Sequence, residues 1–69
     1  MSENAGVPSA IAELSSIATA LEELSKRVTA IAESCAGARR DDLAAELYRV
    51  ERALGTASRT LARVVSTEA

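Results

Sequence analysis

The sequence predicts an all-α chain, an antiparallel two-helix hairpin of coiled-coil type that pairs with a second copy into a four-helix bundle. Three observations predict it. Two separate runs of apolar residues follow alternating steps of three and four, the signature of a helix with one apolar seam. A break rich in turn and cap residues separates them. The chain has only 69 residues, and chains this short seldom bury enough apolar surface alone.

The first residues, Met1 to Pro8, read as a flexible tail ahead of a helix over 9–36. Pro8 suits a first helical turn, where its missing N–H is not needed, and Ser9 is an alternative N-cap. Apolar residues then recur at Leu14, Ile17, Leu21, Leu24, Val28, Ile31 and Cys35. Leu14, Leu21, Val28 and Cys35 fall at heptad position a. Ile17, Leu24 and Ile31 fall at d.

Residues 37–41 break the pattern. Gly37 suits the position after a helix, and Asp41 or Asp42 suits the N-cap of the next, where a negative charge is favoured. A second helix, over 42–66, repeats the pattern at Leu43, Leu47, Val50, Leu54, Ala57, Leu61 and Val64. Residues 67–69 form a short tail. A single continuous helix would place Asp42 and Arg49 at a, so the phase shift requires a turn. Pairing a with d across the hairpin, Leu24 with Leu54 and Val28 with Val50, puts the reflection centre at residue 39, inside that turn.

These fourteen residues form the expected hairpin core. Beside them lie Ile11, Ala18, Ala32, Ala44, Tyr48, Gly55, Ala62 and Val65, small or apolar shoulders that broaden the stripe. They are the expected oligomer interface. Gly55 costs about 1 kcal/mol in mid-helix relative to Ala; it reads either as tolerated variation or as a close helix approach at the oligomer contact.

Composition narrows the chemistry. The chain has one Cys, no His and one aromatic residue, Tyr48. An internal disulfide is excluded, and neither a zinc site nor a His-assisted nucleophile can be assembled. Cys35 reads as a small core residue that could crosslink chains. Glu22 and Glu23 fall on the outer face and lack the His partners of a di-metal bundle site. No phosphate loop or hydrolase motif occurs, so neither catalysis nor a cofactor is expected.

Charge is uneven. From Ser9 to Ala36 two basic residues stand against four acidic ones, and from Arg39 to Ser66 six against four. Arg49, Arg52, Arg59 and Arg63 share the outer face of the second helix. This is a solubilising surface or a candidate partner-binding face for an acidic protein. Nucleic acid is a weaker candidate, because the net charge is −2 and no base-stacking aromatic platform is present. The chain has no run of apolar residues long enough to cross a bilayer, and a lone thiol fits the cytoplasm.

Among known helical hairpins, the segment Ala20-Leu21-Glu22-Glu23-Leu24 is loosely similar to exonuclease VII small subunits, but the turn that should follow is missing. No residue roles are carried over from that similarity. The expected function is a non-enzymatic interaction or scaffold module acting as a homodimer. The alternatives are a small regulatory subunit on a larger protein and a nucleic-acid regulator using the arginine face.

Overall fold

A computed structural model describes residues 3–68. It contains two helices, α1 (Glu3–Gly37) and α2 (Asp41–Glu68), packed against each other as a hairpin. The molecule is a rod of 55 × 15 × 15 Å.

The helix α1 begins at Glu3, not at Ser9, and runs through Pro8. Proline fixes φ near the helical value; its missing N–H and the crowding of its ring against the carbonyl four residues earlier disturb only the first two turns. A helix can therefore pass through it near its end. Met1, Ser2 and Ala69, the outer parts of the two expected tails, lie outside the described residues. Thr67 and Glu68 continue α2.

The turn is tighter than expected, with only residues 38–40 outside the helices. Its left-handed residue is Arg39 (φ 65°), and no described glycine has positive φ. Gly37 is instead the last residue of α1. The Arg40 N–H donates to Cys35 O (2.8 Å) and the Arg39 N–H to Ala36 O (3.0 Å). This is a Schellman closure with Arg39 at C′. Arg40 then takes the N-cap position of α2, since its carbonyl accepts from Ala44 N–H at 2.9 Å. Asp41 and Asp42 move into the first turn, where they face the positive end of the helix dipole.

Two cross-helix hydrogen bonds define how the helices meet. Ser25 Oγ donates to Glu51 O (3.3 Å), and Ser58 Oγ donates to Ala18 O (2.9 Å). In both pairs the residue numbers reflect about residue 38, one residue from the centre expected from the heptads. By that register Ala32 lies level with Ala44 and Ile11 with Val65. Glu68 lies level with Pro8, so Glu3–Val7 extend past the end of α2.

The line of contact is therefore Ile11, Ala18, Ser25 and Ala32 on α1, against Ala44, Glu51, Ser58 and Val65 on α2. All occupy heptad position e. Ala18, Ser25, Ala32 and Ala44 are the buried residues among those described, and Ala32 is wholly inaccessible. Small side chains allow close approach of the two backbones. Only then can a serine hydroxyl reach a carbonyl on the opposite helix.

Candidate interaction face

The residues expected to form the hairpin core are not the ones buried between the two helices. Ile17, Leu24, Ile31, Leu43, Val50 and Val64 are exposed, by 38% at least and by 56% at Ile31. Ala57 is exposed as well. Leu14, Leu21, Val28, Cys35, Leu47, Leu54 and Leu61 are half-buried. Several residues expected at an oligomer interface, Ala18, Ala32 and Ala44, are instead the buried contact within the chain. Ile11, Tyr48, Gly55 and Val65 are half-buried, and Ala62 is exposed. Relative to expectation, each helix is rotated about its axis so that e, not the a/d seam, points at its neighbour.

That rotation gathers the large apolar residues on one side. Successive helix residues are about 100° apart, so d lies roughly 100° from e, with a between them. The two helices run in opposite directions, so their wheels turn in opposite senses when viewed from one end. The a and d residues of both consequently face the same way. Seven layers result, from Cys35 and Leu43 beside the turn, through Leu24 and Leu54 at mid-rod, to Leu14 and Val64 at the open end. They form one continuous apolar face along the rod.

The opposite side is polar. Glu22, Ser25, Lys26, Glu51, Gly55, Ser58 and Arg59 line an open groove there of about 160 Å³. Small-molecule pockets are usually larger, about 300–1,000 Å³, and mostly apolar. Gly55 lines this groove from α2. A side chain added there would touch only the Arg59 guanidinium, at 3.3 Å. Gly55 thus lies on the polar side of the rod, away from the apolar face.

The arginine face is present and lies on the same polar side of α2. Arg49, Arg52, Arg59 and Arg63 are all exposed. Arg49 pairs with Glu46 at 3.6 Å, and Arg59 donates to Thr56 Oγ1 at 3.4 Å. Among the described residues, Arg52, Arg59 and Arg63 make no ion pair. At the turn, Arg40 donates through Nε and Nη2 to the two Asp42 carboxylate oxygens, at 3.2 and 3.3 Å. This guanidinium, followed by the Leu43 N–H, holds the Asp42 carboxyl below its ordinary pKa.

Cys35 is a free, half-buried thiol at the turn end of the apolar face. Among the described residues no group of His, Cys, Asp and Glu is placed to hold a metal ion. No described helix is long and apolar enough to cross a membrane.

The fold and this face define a class: a two-helix hairpin zipped by small residues, with its large apolar side chains turned outward on one side. No protein-family model, curated protein or solved structure matches the chain. The functional reading therefore rests on the geometry.

Proposed function

We propose that the chain is a non-enzymatic interaction or scaffold module, a homodimer in which two hairpins bury their apolar faces as a four-helix bundle. The observation that carries this is the outward face itself. Among the described residues no large side chain is fully buried in the single chain. Its surface is 5112 Å², whereas a compact monomer of 7.2 kDa exposes about 4,100 Å². The excess, about 1,000 Å², is close to the area each partner gives up in a stable interface, about 800 Å². The side of the rod, 55 Å by 15 Å, offers a footprint of the same size.

The energetic scale agrees. Fully burying a Val, Leu or Ile side chain contributes about 1.5–3 kcal/mol. Six residues of this kind, Ile17, Leu24, Ile31, Leu43, Val50 and Val64, are still 38–56% exposed, so covering them contributes about 4–8 kcal/mol per chain. Closing the apolar side leaves the arginine face free on the outside for an acidic protein.

Sedimentation equilibrium of the purified chain tests the reading. A two-chain mass is expected at micromolar concentration. Replacing Leu24 and Leu54 together by Asp should reduce it to a one-chain mass. A wild-type chain that sediments as a monomer and melts cooperatively overturns the homodimer. A poorly folded monomer would transfer the apolar face to a larger protein partner.

A further inference from the structure

We infer that the second copy lies with its turn at the same end of the bundle, so that Arg27 of one chain meets Glu46 of the other. This orientation rests on the homodimer proposed above. Two hairpins can join face to face about a two-fold axis in two ways. An axis along the rod puts both turns at one end and sets α1 against α2 of the second copy. An axis across the rod puts the turns at opposite ends and sets α1 against α1 and α2 against α2. Either way neighbouring helices are antiparallel, so the apolar layers alone do not choose.

The margins of the face choose. Position g borders d on the outer edge of each helix. The charged residues at g are Glu13 and Arg27 on α1 and Glu46 on α2. Counted from the reflection centre at residue 38, Arg27 lies eleven residues along the rod and Glu46 eight. With the turns together, these two face each other across the margin. The offset is three residues, about 4.5 Å, which both side chains can span. Symmetry makes the pair twice. Both residues are exposed. Arg27 has no ion pair among the described residues, and Glu46 holds only the exposed contact to Arg49.

With the turns apart, the faces overlap fully when the Leu24 and Leu54 layer sits at the two-fold axis. The g positions nearest in height to Arg27, Glu46 and Glu13 are then Ala20, Thr60 and Ser34 of the second copy. No opposite charges meet. Charge complementarity at a margin contributes orientation and specificity more than affinity, which is what is required to select between two alignments with equally apolar cores.

The test uses the full chain with Cys35→Ser, and Ala38→Cys in the exposed turn as the only thiol. A spin label there reports the turn-to-turn distance by pulsed electron resonance. About 20 Å, roughly two helix diameters, is expected with the turns together, against about 45 Å with them apart. Sedimentation of the same sample separates the outcomes. A monomer removes the dimer and the orientation with it. A dimer with labels about 45 Å apart overturns the orientation alone.

Charge reversal provides a measurement that does not need Cys35 replaced. Arg27→Glu should weaken dimerisation about three- to tenfold at low salt, and Glu46→Arg in the same chain should restore it. Equal dissociation constants for wild type, Arg27→Glu and the double variant would also overturn the orientation.

Discussion

The Ser58 hydroxyl sits 2.9 Å from the carbonyl oxygen of Ala18, forty residues away in sequence and on the opposite helix. That contact brings the two backbones close together where Ala18, Ala32 and Ala44 are buried. We predict that Ala32→Leu, at a position with no accessible surface, destabilises the hairpin by about 1–3 kcal/mol through overpacking. Ser58→Ala should cost less, about 0.5–1.5 kcal/mol, since a neutral hydrogen bond is lost without a larger group being forced in. Urea unfolding at fixed chain concentration measures both. Equal stability of Ala32→Leu and wild type would mean that the helices do not meet along this line.

Much of this fold was legible in the sequence, but not which stripe would lie inside the hairpin. The heptads at Leu14 to Cys35 and Leu43 to Val64 give two helices and their antiparallel pairing, and the turn was located to within a residue. A heptad says which face of a helix is apolar. It does not say whether that face meets the other half of the chain or a separate molecule. The choice turned on Ala18, Ala32 and Ala44, only about 40° around the helix from a. Alanine is abundant throughout this chain as a helix former, so its role as a spacer was masked by its frequency. A sharper cue existed in Ser25 and Ser58, small polar residues at e that can bond a carbonyl across a close helix pair. The left-handed turn residue was misplaced for a similar reason. Gly37 is the usual choice for that conformation, and the chain uses Arg39.

The turn predicts two stabilising substitutions. An L-residue in the left-handed region costs about 1–2 kcal/mol, part of which glycine recovers before its greater unfolded-state entropy is counted. Arg39→Gly should therefore stabilise by about 0.5–1 kcal/mol. Gly37 has a helical position, and a methyl group added there meets nothing within 4 Å. Gly37→Ala should stabilise by a similar amount, about 0.5–1 kcal/mol. Thermal melts of both single variants check this. A destabilising Arg39→Gly would show that this residue does more than close the helix.

The Arg40–Asp42 fork gives a pH dependence. The guanidinium lowers the Asp42 pKa in the folded chain relative to its ordinary value. A depressed carboxylate contributes stability above its unfolded pKa, about 3.9. The contribution is lost as pH falls through the lower folded value. The difference in melting temperature between wild type and Asp42→Asn should thus shrink as pH drops below about 4. Carbon NMR titration of the Asp42 carboxyl should give a higher pKa in Arg40→Ala than in wild type. An unchanged titration would remove Arg40 as the cause.

The exposed apolar face predicts that stability depends on how much protein is present. A chain whose large side chains are covered only by a second copy gains its stability by mass action, so its melting temperature must rise with concentration. A hundredfold dilution should lower the wild-type melting temperature measurably. Leu24→Asp should both lower it and remove most of the concentration dependence, because the folded pair no longer forms. Arg52→Ala provides the contrast. It lies on the polar side of α2, makes no ion pair among the described residues, and should change stability by no more than about 0.5 kcal/mol. Calorimetry across that dilution range distinguishes the two sides of the rod. Leu24 is the informative position because it is 43% exposed in the single chain and would be covered in the proposed pair. A melting temperature independent of concentration, in a chain that remains folded, is incompatible with that arrangement.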